Sequence, residues 1–405
     1  MSSNSTRDDP KTVGALQGAS HAPFDVRMMR TALLVAARGL GRTAPNPAVG
    51  AVIANETTGE IISRGWTQPG GRPHAETQAI ERAGARARGQ TIYVTLEPCS
   101  HFGKTAPCAD AIIAAGLRRV VVAIEDPDPR VSGRGLDRLR EAGIAVTRFV
   151  LADEAHASLR GHIVRVTERR PFVQIKMALN DDGQVARGSN GQPVWVTGPL
   201  ARRFGHMLRA KADAILIGAG TLRDDNPSLT CRLPGLDHRT PQPVVLAGKG
   251  PLPAYATLLA PESASGADHS SRLNTILAIP ADAQSRNSDS VEEDHPALDM
   301  VPLKTVGGQI WLPALAEALV GRGITRLLVE GGPAICQAFL NARMADEVVV
   351  FQSLGADGMD AARQRVQNQL NAQTSGINFV CFGQRRLDKD AMFVFQPVAQ
   401  PDLAP

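Results

Sequence analysis

Aromatic residues make up only 4% of this 405-residue chain. Few rings are available for bases to stack on, which argues against a binder of single-stranded nucleic acid. The formal charge is a modest +4, and the basic residues are dispersed rather than gathered in a stripe. That balance suits small anionic molecules better than a nucleic-acid surface. No apolar run is long enough to span a bilayer and the start carries no secretory h-region, so the expectation is a soluble, cytoplasmic protein with no membrane partner. The five cysteines are an odd number, which argues against a disulfide framework and for a reducing compartment. With a hydrophobic fraction of 43%, a chain of this length is expected to form two domains, each able to bury a core.

What the chain does have is concentrated between Pro73 and Cys108. Pro73-His74-Ala75-Glu76 opens a run with apolar residues at helical spacing (Ala79, Ile80, Ala83, Ala87). Thr95-Leu96-Glu97-Pro98-Cys99 follows a predicted strand, Thr91 to Leu96, and Cys108 precedes a predicted helix, Ala109 to Ala115. One imidazole and two thiolates, His74, Cys99 and Cys108, are ligands of the kind zinc favours. Three protein ligands leave a tetrahedral position open for water, whereas a fourth would make the site structural. Glu76, two residues from His74, is too close to be an obvious ligand and is the candidate proton shuttle. Both cysteines are read as lying near a helix start, where thiolate is favoured over thiol. The zinc deaminase signature couples His-x-Glu to Pro-Cys-x-x-Cys; here eight residues separate the cysteines. The chemistry implied is hydrolytic deamination. Cys231, Cys336 and Cys381 are expected to be ordinary buried thiols.

Along the chain, residues 1–22 lack periodicity and read as a disordered tail. Asp25 is a candidate N-cap for a helix through Ala36. Asn46, held between Pro45 and Pro47, is either a turn former or an amide able to pair with a heterocycle. Strands are expected at Val49–Ile53, Ile61–Arg64, Val120–Ile124 and Ile144–Val150, with a helix at Gly135–Ala142. This alternation predicts an α/β sheet with helices on both faces and a ligand site at the carboxyl ends of its strands. The charged, helix-prone stretch 153–170 is read as a linker between a first domain, 23–152, and a second, 171–398, with a tail at 399–405. In the second half the pattern predicts strands at Phe172–Ala178, Ala214–Gly218, Arg326–Val329, Val348–Phe351, Asn378–Phe382 and Met392–Phe395. Helices are expected at Pro199–Arg209, Pro313–Gly321 and from Pro333 through Leu340. Gly218 to Pro227 reads as a glycine-rich turn. Glu330-Gly331-Gly332-Pro333 is either a simple turn or an anion site at a helix N-terminus. Residues 262–300 read as surface insertions around one strand, Thr275–Ile279.

Taken together, these motifs resemble the bifunctional riboflavin-biosynthesis deaminase/reductase family from about Phe24 to Pro397. The resemblance is carried by Pro45-Asn46-Pro47-Ala48-Val49-Gly50, His74-Ala75-Glu76, Thr95 to Cys108, and Asp126-Pro127-Asp128-Pro129 through Gly133-Arg134-Gly135. In the second half Lys176, Trp195-Val196-Thr197, Arg209, Asp225 to Thr230 and Glu330-Gly331-Gly332 match. The family implies a cytidine-deaminase-like N-terminal domain followed by a dihydrofolate-reductase-like C-terminal domain. In the first, one zinc ion is held by His74, Cys99 and Cys108, Glu76 moves protons, and Asn46 and Lys104 contact a diaminopyrimidinone ribosylamine 5'-phosphate. In the second, NADPH passes a hydride to the ribose carbon of the deaminated product. There Lys176, Arg209, Leu229, Arg232 and Glu330 would line the substrate, while Ala178, Trp195, Thr221, Asp225 and Gly332 would meet the cofactor. The family also implies a homo-oligomer.

Three places depart from the family pattern. Thr67 stands where a histidine is usual, Asn180-Asp181-Asp182-Gly183 replaces Ser-Leu-Asp-Gly, and Pro193 replaces a serine. The last two motivate an alternative, a zinc deaminase whose second domain is non-catalytic. A nucleic-acid base deaminase, sharing the zinc chemistry, is a further alternative.

Overall fold

Strand β1 (Gly50–Ala54) is buried along its whole length, as a strand must be when helices cover both faces of its sheet. Helix α1 (Pro23–Ala36) packs on one face. It starts two residues before Asp25, so Asp25 is no N-cap; it is buried in the first turn, accepting bonds from the Tyr93 hydroxyl at 2.9 Å and from Arg119. Strand β2 (Ile61–Trp66) pairs antiparallel with β1 and leads to α2 (Ala75–Ala83) on the other face. Two glycines permit both approaches. A Cβ on Gly50 would lie 2.0 Å from the Ala32 carbonyl oxygen in α1, and one on Gly65 would lie 2.2 Å from that of Ala75 in α2. Gly65 pairs with Ala51, the neighbour of Gly50, so alternation along β1 sends the two helices to opposite faces.

The chain continues through β3 (Thr91–Val94), α3 (Cys108–Ala114), β4 (Arg119–Val122), α4 (Arg134–Glu141), β5 (Ala145–Thr147) and α5 (Ala152–Glu168). The sheet order is β2-β1-β3-β4-β5, with β3, β4 and β5 parallel. The strand expected over Ile144–Val150 is shorter because Phe149 and Leu151 adopt positive φ, which ends an extended run. Of residues 153–170, read as a helix-prone linker, 153–168 lie in helix α5. Its Ala155 and Leu159 are buried in the core with Leu136 and Val150, so the helix belongs to the first unit. The structure describes residues 21–102, 106–129, 131–185, 196–248, 252–253, 256–259, 274–281, 298–355, 358–374 and 376–398. It is a computed structural model, and its two compact units divide between Thr167 and Glu168. The tail read over 1–22 lies outside the described residues up to position 20, as do 399–405 and most of 262–300.

The second unit begins with β6 (Phe172–Leu179), α6 (Pro199–Lys211), β7 (Ala214–Gly218), α7 (Ala219–Asp225), β8 (Gln242–Leu246), β9 (Thr275–Pro280) and β10 (Leu298–Leu303). A small hairpin, β11 (Thr305–Val306) and β12 (Gln309–Ile310), precedes α8 (Leu312–Gly321), β13 (Arg326–Val329), α9 (Pro333–Asn341), β14 (Glu347–Ser353), α10 (Gly358–Gln373), β15 (Asn378–Leu387) and β16 (Asp390–Val398). Among the described residues the main sheet runs β10-β9-β8-β7-β13-β6-β14-β16-β15, parallel up to β14 and antiparallel beyond it. Val173 and Ile175 of β6 meet Leu315, Leu319 and Phe339 on one face. On the other, Ala201 of α6 covers Val349 and Phe351. The stretch from Gly218, expected as a turn, is largely helix α7, with extended Gly218 at its start and Asn226 in the left-handed region at its end. Strand β8 was not foreseen, because Pro243 argues against a central strand; it nevertheless pairs with β7 and β9.

Candidate active sites

Both sites lie where strands end. In the first unit the chain leaves β3 and reaches Cys99, while α2 and α3 deliver His74 and Cys108. His74 occupies the N-cap position of α2 but makes no side-chain capping bond, which leaves its ring free to turn toward the cysteines. Its Nδ1 lies 3.3 Å from Cys108 Sγ and 3.7 Å from Cys99 Sγ. Tetrahedral zinc with ordinary Zn–N and Zn–S lengths would hold such atoms about 3.6 Å apart. Among the described residues these three form the one cluster of His, Cys, Asp and Glu able to hold a metal, and the residues fit zinc.

Cys99 is nine positions before the start of α3, yet its sulfur accepts the Cys108 N–H at 3.3 Å, at the first turn of that helix. A bond from the Cys108 thiol, ahead of those from His74 and the Cys108 N–H, draws the Cys99 thiol down to about 4. The hydrogen bond to Cys99 and burial push the Cys108 thiol up, so metal binding must displace the proton that the two thiols share. The bond to Cys99, followed by the nearby charge of Glu76, raises His74 despite its burial.

Glu76 is 4% exposed and lies outside the ring of three ligand atoms. Burial first, and the charge on Cys99 second, push its carboxyl up to about 7. A group poised there can both take and give a proton at neutral pH.

Asn46 donates from Nδ2 to the Gly71 carbonyl at 2.9 Å and sits 3.5 Å from His74 Nε2. Gly71 has φ of +85°, and a Cβ there would lie 2.7 Å from the Asn46 amide, so only glycine lets the two meet. Thr67, where the resemblance calls for histidine, is buried. Its hydroxyl accepts the Val49 N–H at 3.0 Å, which stitches the entry of β1. Lys104 lies outside the described residues. Glu97 received no role from the sequence, yet its carboxylate accepts three backbone N–H groups, from Asp126, Gly133 and Gly135. Nothing in its spacing could have shown that.

In the second unit Glu330 leaves the end of β13 and meets Arg209 of α6 in a two-pronged pair, 2.9 Å to Nε and 3.0 Å to Nη2, with Lys176 Nζ of β6 at 3.7 Å. Burial alone would raise the carboxyl; the charges of Lys176 and Arg209 overcome it and hold Glu330 at about 2. Arg209 also donates to the Thr230 carbonyl, which ties it to the segment carrying buried Leu229, whose φ is +54°, and exposed Arg232. Thr221 of α7 accepts the Gly332 N–H at 3.2 Å. Gly218 and Gly331 both make room for Ile335, to within 2.8 and 2.7 Å of where a Cβ would stand. No side chain caps α9, so its N-terminus fits the anionic part of a nicotinamide cofactor.

The structure therefore gathers Lys176, Arg209, Leu229, Arg232 and Glu330, and beside them Thr221 and Gly332. Ala178 lies on the same face of β6 as Lys176 and pairs with Phe351, and Asp225 ends α7. Trp195 and Pro193 lie outside the described residues. His206 was missed. Three residues before Arg209 on α6, its Nδ1 accepts the Arg232 N–H at 3.3 Å, and burial, with the charges of Arg209 and Arg232, lowers it. The i, i+3 spacing from Arg209 was the available signal.

Comparison with known proteins covers both units. Residues 23–124 match the family described as the cytidine and deoxycytidylate deaminase zinc-binding region, and residues 171–381 match the RibD C-terminal domain. The riboflavin biosynthesis protein RibD of Escherichia coli is 37% identical over 83% of this chain and 89% of its own length. The chain belongs to the RibD family. Among solved structures, RibD of Acinetobacter baumannii covers 93% of this chain and 99% of its own at 30% identity, with a TM-score of 0.74. A RibD-family deaminase/reductase from Thermotoga maritima gives the same coverage and TM-score at 33% identity. RibD membership across both halves makes this chain a bifunctional deaminase/reductase of riboflavin biosynthesis, using zinc and NADPH. That decides against the two alternatives, a non-catalytic second domain and a nucleic-acid base deaminase. Among the described residues no helix is long and apolar enough to cross a membrane.

Proposed function

We propose that the first unit hydrolyses the amino group of 2,5-diamino-6-(5-phosphoribosylamino)pyrimidin-4(3H)-one at the His74, Cys99 and Cys108 centre. In this reading the second unit reduces the ribosyl group of 5-amino-6-(5-phosphoribosylamino)uracil to ribityl. The observation that carries the deaminase assignment is a buried carboxylate, Glu76, beside a three-ligand cluster it does not join. His74, Cys99 and Cys108 would hold the zinc, which when bound would lower the pKa of a water to about 7. Glu76 would carry a proton from the attacking water to the amine, so that a C–O bond replaces the C–N bond and ammonia leaves. Asn46, beside His74, would orient the heterocycle, and by the family resemblance Lys104 would meet the phosphate.

In the second unit NADPH supplies the hydride. Arg209 and Lys176 are fixed by Glu330, and with Arg232 they present positive charge to a phosphorylated sugar. Leu229 closes the apolar side. By the family resemblance Gly332 and Thr221 would hold the cofactor's phosphates, and Ala178, Trp195 and Asp225 would complete its contacts. The test is paired: ammonia release from the diaminopyrimidine substrate, and NADPH oxidation with the already deaminated substrate. Zinc-loaded protein should show both; absence of NADPH oxidation would overturn the assignments in the second unit.

A further inference from the structure

Strands β3 and β4 are adjacent and parallel, so the segments leaving their carboxyl ends run side by side and form a crevice wall. Glu97 lies between them, two residues before Cys99. Its N–H donates to the Ile124 carbonyl at 3.0 Å, extending the pairing past both strands. Its side chain, 3% exposed, reaches across: Oε2 accepts Asp126 N–H at 3.2 Å and Gly133 N–H at 3.0 Å, and Oε1 accepts Gly135 N–H at 2.9 Å. Contact continues at Pro98, whose carbonyl oxygen would stand 2.1 Å from a Cβ on Gly135. The Asp126 side chain is itself held, with Oδ1 accepting Asp128 N–H at 3.0 Å and lying 3.3 Å from His162 Nε2.

We propose that Glu97 is a positioning residue for deamination, tying Asp126 and the Gly133–Gly135 turn to the segment that carries Cys99 and so setting the wall beside the metal. This role rests on the deaminase reading above. A carboxylate suits the task because it only accepts hydrogen bonds. A glutamine in its place turns an NH2 group toward backbone N–H donors. Partners one step removed from metal ligands commonly cost about 10–100-fold in activity or affinity when changed.

The test is E97Q, compared with wild type for zinc content, deamination kinetics, amide exchange and NADPH oxidation. The expected result is full zinc occupancy, KM for the diaminopyrimidine substrate raised about 10–100-fold with kcat far less affected, faster exchange at Asp126, Gly133 and Gly135, and unchanged NADPH oxidation. Unchanged KM overturns the proposal, and so does loss of zinc, which would make Glu97 a structural support. G135A pushes the same turn off Pro98 without changing residue 97, its added Cβ standing 2.1 Å from the Pro98 carbonyl oxygen and 3.1 Å from Glu97 Oε1. It should also raise KM, and it carries the test if E97Q does not fold. Wild-type protein that releases no ammonia overturns the underlying deaminase reading, a failure visible before any variant is made.

Discussion

His74 stands at a helix N-cap and caps nothing, and two positions on, Glu76 is buried without entering the ligand ring. The separation of ligand from proton carrier gives a clean expectation. Glu76→Gln should bind zinc as wild type does, measured by metal analysis, and lose deamination by about 10²–10⁴-fold, while NADPH oxidation continues. Metal loss in that variant would reassign the residue. Glu330 offers a pH test. Its carboxyl titrates at about 2 in the folded chain against an ordinary 4.5, so the unfolded chain takes up the proton first on acidification. The stability it contributes is fully present above pH 4.5 and is lost as pH falls from there toward 2. The difference is worth about 3 kcal/mol at about 1.4 kcal/mol per pH unit. Denaturant unfolding of the second unit should lose less stability over that range in Glu330→Gln than in wild type. The variant should also be weaker at neutral pH, because Arg209 and Lys176 lose their counter-charge.

Element packing decides how the ligands converge. Helix α2 can bring His74 over the sheet because Gly65 presents no side chain to the Ala75 carbonyl. Gly65→Ala places a methyl group against fixed backbone and should destabilise the first unit by about 1–3 kcal/mol, read by urea unfolding, with weaker zinc affinity by titration. The alternating strands and helices were legible where apolar runs are short and bounded: Ala214–Gly218 and Arg326–Val329 have the same limits in the sequence reading and in the structure. Where a residue type misleads, the reading failed. Pro243 hid a central strand, the glycines at 218 and 220 hid helix α7, and the charges of 153–170, though read as helix-prone, hid the burial of Ala155 and Leu159 in the first core. In each case tertiary contacts overrode a local preference.

At the scale of the whole molecule the two units have distinct cores, one centred on Val52, Ile53 and Val94 and the other on Val173, Phe339 and Phe393. Zinc removal should therefore act on one unit alone. Stripping the metal with a chelator should end ammonia release and lower the unfolding temperature of the first unit, since a ligand held at 1,000 times its Kd stabilises the folded state by about 4 kcal/mol. NADPH oxidation with the deaminated substrate should be untouched; its loss would show that the units depend on each other.

Sequence by itself determined the cluster of His74, Cys99 and Cys108 that the structure brings together, because the side chains that bind zinc are few and their motif spacing is restrictive. It also determined the α/β class, because hydrophobic period is a local property. Only the tertiary structure decided what Glu97 and His206 hold, and how Lys176, Arg209 and Glu330 meet from three separate elements. Those are properties of burial and of contacts between residues distant in sequence, and a linear pattern carries neither.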